Sequence, residues 1–131
     1  MEQAVEFMTG IVLLALSLSF LLRSRDWSNW LENIRQDEPY RVLPIGCFTI
    51  LISSFMVAFH PVWDGFFILV TIIGVLGIIE GSFYLLFPGV LRNILGILAP
   101  NYDPMIRIWG ALFGLLGVLI LMKWCDAVNI I

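Results

Sequence analysis

The sequence predicts an all-α membrane protein, with four transmembrane helices as two tandem helix–surface helix–helix units. Three observations predict it. Of 131 residues, 60% are apolar and only 13% are charged, where an ordinary soluble domain carries about 25% charged residues. Mean hydropathy is +0.98. Four apolar runs approach the ~20 residues that a helix needs to cross a bilayer, and a shift of 64 residues lays the first half of the chain on the second.

The first run extends over about 7–22. Its leading segment MEQAVEF carries two glutamates and no base, and no small-residue cleavage site follows, so it reads as a mature helix and not as a signal peptide. Next comes RSRDWSNWLENIRQDEP, in which Trp27, Trp30, Leu31 and Ile34 fall at i, i+3, i+4 and i+7. That spacing predicts an amphipathic helix over about 25–36 that lies on the headgroups, with Arg25, Ser28, Asn29, Glu32 and Arg35 on its polar face. The second span covers about 42–59. It ends at AFHPVWDG, where His60 reads as a turn residue beside interfacial Trp63, and Asp64 as the cap of the following helix.

The third span covers about 65–87, and after the Pro88-Gly89 break Leu91, Ile94, Leu95 and Leu98 repeat the amphipathic spacing over about 89–98. The fourth covers about 105–124. Gly74, Gly77 and Gly81 form a stripe on span three, and Gly110, Gly114 and Gly117 form another on span four, with a G-x-x-x-G inside it. Small residues at such spacing let helix backbones approach, within the chain or against another protein.

The 64-residue shift pairs Gly10 with Gly74, Asn29 with Asn93, Leu31 with Leu95, and Gly46 with Gly110, and it preserves the order of elements. The units are therefore 1–64 and 65–131. Parallel copies of this kind are related by an axis along the membrane normal. Arg23, Arg25, Arg35 and Arg41 lie between spans one and two, and Arg92 between three and four, while the turn HPVWDG has neither Lys nor Arg. By the positive-inside rule both longer loops are cytoplasmic and the termini outside; Lys123 is the one base that opposes this.

Glu80 is the costly residue. It lies inside span three, about six residues from its cytoplasmic end, which is roughly 10 Å of helix. Arg107 opens span four near the same boundary, so one expectation is an intramembrane Glu80–Arg107 ion pair, with Tyr84 or Tyr102 joining. Glu80 also fits a proton or cation site of a transporter, since ionisable groups within a membrane are functional candidates, or a contact with a partner that supplies its own base.

The stretch from Leu76 to Trp124 resembles the YjeT-like family of very small bacterial inner-membrane proteins. The residues that carry the resemblance are Glu80-Gly81, Pro88, Arg92 and Arg107-Ile108-Trp109-Gly110. It implies a bacterial inner membrane and no activity. The first unit departs from the pattern, with Leu16 where Glu80 would fall and Leu43 where Arg107 would.

Nucleophile, phosphate-loop and zinc patterns are absent from the sequence, so no enzymatic chemistry, metal or cofactor is expected. As an axial pigment or haem ligand His60 would be the sole candidate. Cys47 and Cys125 read as small apolar residues. A net charge of −3 with scattered acids suggests no nucleic-acid partner. The expected partners are the lipid bilayer and a larger membrane protein or a homo-oligomer. The expected role is a non-enzymatic accessory or scaffold subunit of a bacterial inner-membrane complex, docking through apolar helix faces and the amphipathic surface helices; the alternative is a small oligomeric proton- or cation-coupled transporter or channel using Glu80.

Overall fold

The computed structural model describes residues 2–98 and 101–128, and every described element is helical. Helix α1 spans Glu2–Leu22, α2 Ser24–Gln36, α3 Leu43–Phe59, α4 Ile68–Leu86, α5 Pro88–Leu98 and α6 Tyr102–Ala127, with one 3₁₀ turn, Pro39–Val42, before α3. Helices α1, α4 and α6, and α3 taken together with its 3₁₀ turn, are long and apolar enough to cross a membrane. The outer residues of the expected units, 1 and 129–131, lie outside the described residues.

Local chemistry sets the helix starts. Proline occupies the first turn of α3 and opens α5, where its missing N–H leaves no bond unmade. Asp103 sits in the first turn of α6, where a carboxylate favours the helix dipole. Between α3 and α4 the chain turns at Gly65, whose φ of +73° suits glycine and strains other residues. Asp64 does not cap α4: that helix begins later, at Ile68 after Phe67, without a side-chain cap.

The spans pack as two pairs, α1 along α6 and α3 along α4. Glycine sets both seams. A Cβ placed on Gly10 would meet Leu121 and Ile120, and one on Gly74 would meet Val57 and Met56. One on Gly110 would meet Phe20 and Leu21, and one on Gly46 would meet Tyr84 and Leu85. Each residue of the first contact in these two comparisons lies 64 positions from its counterpart in the second. The stripe Gly74, Gly77, Gly81 therefore faces α3, and Gly110, Gly114, Gly117 faces α1, so the two stripes do not meet each other.

Leu13, Val70 and Ile120 form one core between the pairs, with Phe66, Phe67 and Phe113 around it. At the opposite end α2 and α5 pack together and close the bundle. Here Leu95, Tyr102 and Ile106 are buried, and Trp27, Leu31 and Ile34 lie against them. The apolar face of α2 thus covers α5 and the start of α6; of its four expected apolar residues only Trp30 is exposed, at 44%. Trp27 is held further by donating from Nε1 to Ser19 Oγ at 2.8 Å.

Candidate functional site

Polar side chains gather at three places. At the end where α1 starts and α3 turns into α4, Glu6, His60 and Thr71 form a buried chain. His60 Nε2 lies 2.8 Å from Glu6 Oε1, and Nδ1 lies 2.9 Å from Thr71 Oγ1. The Thr71 hydroxyl is also 2.8 Å from the His60 carbonyl and 2.7 Å from that of Val62. His60 and Thr71 are wholly buried, and Glu6 is 5% exposed.

His60 is therefore no simple turn residue. Its ring is enclosed, because α1 begins at Glu2, earlier than the apolar run implies, and brings Glu6 beneath the turn. Both ring nitrogens are engaged, which leaves neither for an axial metal ligand. Sequence reading missed Glu6, although a signal was present: Glu6, Thr9, Gly10, Leu13 and Ser17 are the buried residues of α1, a small and polar stripe at helical spacing. Glu6 continues that stripe by one turn.

The second place is Glu80. It is exposed on α4 and accepts a hydrogen bond from Tyr84 Oη one turn along the same helix. Arg107 pairs instead with Asp103, Nε to Oδ2 at 3.1 Å, and lies 3.3 Å from Ser24 Oγ. The expected Glu80–Arg107 pair is not formed. The reason is the pairing of helices: α4 lies along α3 and α6 along α1, and Glu80 is one residue, about 100° of helix, from the inward-facing Gly81.

The third place is the end closed by α2 and α5. Arg23 bridges Asp26 at 2.6 Å, and with Arg25, Asp103 and Arg107 these residues line an open groove between α2 and α6. Arg35 bridges Glu32, and its hydrogen bond to that carboxylate holds Glu32 below the usual carboxyl range and Arg35 above its own. Arg92 donates to the Asp37 carbonyl, tying α5 to the end of α2. Cys47 is exposed on an apolar helix and Cys125 is half-buried, and both are free thiols. Among the described residues no three His, Cys, Asp or Glu side chains converge as a metal site would need.

The fold thus defines a helical protein with four spans suited to a membrane, a buried polar chain at one end and surface ion pairs at the other. A family model described as an uncharacterized protein conserved in bacteria (DUF2065) matches residues 69–124, a stretch that fits a small bacterial membrane protein. It takes in Thr71, Glu80, Arg92 and Arg107, while Glu6 and His60 lie outside it. No curated protein and no solved structure matches the chain.

Proposed function

We propose that the protein is a non-enzymatic accessory or scaffold subunit of a bacterial inner-membrane assembly, in which a neighbouring subunit covers the outer face of α4. The observation that carries this reading is the position of Glu80. Its carboxyl lies within a candidate span, on a face that no described helix covers, with one hydrogen bond from its own helix. A charged group facing lipid at that depth costs several kcal/mol, of the order of 2.5–3.5 at a helix centre. A partner helix that brings a base or a hydrogen-bond donor removes that cost.

Only 17–28% of each span is buried within the chain. Lipid covers much of the remainder in this reading, and the partner takes the part around Glu80. The arginines of 23–41 and Arg92 sit at the end closed by α2 and α5, which supports a cytoplasmic location for that end. Labelling of a cysteine placed at Asn29 from the cytoplasmic side, and of one at Asp64 from the outside, tests this orientation.

The matching glycine contacts support two tandem units, 1–64 and 65–131, related by an approximate twofold axis along the membrane normal. Exchange of the units turns the α1–α6 pair into the α4–α3 pair. In the second unit the family match supports a relationship to the YjeT-like proteins.

The experiment is purification in mild detergent from the native membrane. A stoichiometric partner that Glu80→Gln retains and Glu80→Leu loses supports the accessory role. A pure homo-oligomer that carries proton or cation flux, abolished by Glu80→Gln, replaces it with the transporter reading.

A further inference from the structure

The hydrogens among Glu6, His60 and Thr71 can be counted, because each heavy-atom contact has limited donors. Thr71 Oγ1 stands 2.8 Å and 2.7 Å from two backbone carbonyl oxygens, those of His60 and Val62. Carbonyls only accept, so the single hydroxyl hydrogen goes to one of them. Were it turned to His60 instead, both carbonyls would face oxygen lone pairs at hydrogen-bond distance. The hydroxyl therefore presents a lone pair to His60 Nδ1 at 2.9 Å, and Nδ1 carries hydrogen.

The consequence falls on the other nitrogen. A neutral ring with hydrogen on Nδ1 has a lone pair on Nε2, and Nε2 is 2.8 Å from Glu6 Oε1. An ionised carboxylate there would set acceptor against acceptor in a fully buried place. One further hydrogen is required between the two atoms.

We propose that Glu6 and His60 form a buried proton-binding site, in which one proton is held between Oε1 and Nε2 while Thr71 keeps the second hydrogen on Nδ1. The ligand is the proton itself. Written as imidazolium with carboxylate, or as imidazole with carboxylic acid, the pair is neutral overall. Release of the proton to water leaves one net negative charge, with a ring lone pair against a carboxylate, and the contact parts.

Among the described residues no other charge at this end takes the place of that proton. Lys123 of α6 stands over the Phe66 ring, 5.9 Å from its centre, and forms no ion pair with Glu6. Glu2 of α1, Asp64 of the turn and Asp126 of α6 are exposed. The bond has structural reach, since Glu6 belongs to the α1–α6 pair and His60 and Thr71 to the α3–α4 pair. The proton thus fastens the two helix pairs at the end opposite α2 and α5.

His60 is the sole histidine, so ¹⁵N-histidine in the full chain in lipid nanodiscs reports one ring. The expected result at neutral pH is hydrogen on Nδ1, together with either hydrogen on Nε2 or an infrared band of a protonated carboxyl that Glu6→Gln removes. In Glu6→Gln the amide donates to Nε2, so the ring keeps the Nδ1–H form, and the site no longer has a proton to release. A neutral ring with hydrogen on Nε2 alone overturns the proposal. So does an Nδ1–H neutral ring with no protonated carboxyl at Glu6.

Discussion

Ser17 Oγ of α1 donates to the carbonyl oxygen of Gly110 on α6 at 2.6 Å, in a buried seam between helices that are far apart in the chain. The same hydroxyl limits its neighbour. A Cβ added to Gly114 would come within 2.5 Å of Ser17 Oγ but 3.4 Å from Ser17 Cβ, the latter an ordinary contact. Interhelical hydrogen bonds in membranes contribute about 0.6 kcal/mol on average and up to ~2.

Ser17→Ala should therefore destabilise the protein by about 0.6 kcal/mol. Gly114→Ala should cost more, because the new methyl displaces the hydroxyl and breaks the bond to Gly110. The double variant should be more stable than the sum of the two predicts, since removal of Oγ makes room for the methyl. Reversible unfolding in bicelles measures the cycle, and strict additivity would contradict this account of the seam.

In the other helix pair, two of the three nearest neighbours of Gly81 are backbone atoms. An added Cβ would lie 2.8 Å from the Gly46 carbonyl oxygen, 3.0 Å from the Ile50 nitrogen and 2.6 Å from Ile50 Cγ1. Neither backbone atom can swing aside without moving α3. Gly81→Ala should cost about 1–3 kcal/mol, as overpacking does. Gly89→Ala, with nothing within 4 Å, should be near neutral in the same assay. Equal losses at the two positions would mean that the α3–α4 seam is looser than these distances imply.

The sequence foretold some of this and not the rest, for a physical reason. Length and hydropathy report depth, and they place the four spans and both amphipathic helices within a few residues of α1–α6. They do not report which helix lies beside which. Glu80 and Arg107 occupy compatible depths, yet α4 and α6 belong to different pairs, so a depth argument alone brought them together wrongly. The same limit applies to Trp27, Leu31 and Ile34, whose periodicity marks an apolar face without saying whether lipid or α5 covers it. Glu6 was hidden because a carboxylate at the start of a span reads as a solvated end. Its inward direction follows only when the small and polar stripe through Ser17 is traced back to it.

Since Arg107 binds Asp103 and Glu80 binds Tyr84, the two charges should be energetically independent. In a double-mutant cycle, Glu80→Gln and Arg107→Gln should add to within about 0.5 kcal/mol, as distant sites do. Asp103→Asn and Arg107→Gln should instead show a small coupling, about 0.3–0.5 kcal/mol for an exposed pair one turn apart on a helix. A large coupling between Glu80 and Arg107 would restore the ion pair that the sequence suggests and would contradict the α1–α6 and α3–α4 pairing.

Glu32 offers a pH test outside the spans. Its carboxyl is held below the usual range, first by the hydrogen bond from Arg35, against a smaller opposing effect of burial. A depressed carboxyl stabilises the folded helix above the unfolded value of about 4.3, and this contribution disappears as pH falls through the lower folded value. The pair is only half-buried and at one helix surface, so the effect is local to α2 and does not reach global unfolding. The Arg35 Nε–H resonance should hold its bonded position at pH 5 and move toward that of free arginine on further acidification. Glu32→Gln should remove the acid-induced step, because an amide has no proton to gain there. A step that survives in Glu32→Gln would assign it to another carboxyl of α2, with Asp26, bound to Arg23, as the one to change next.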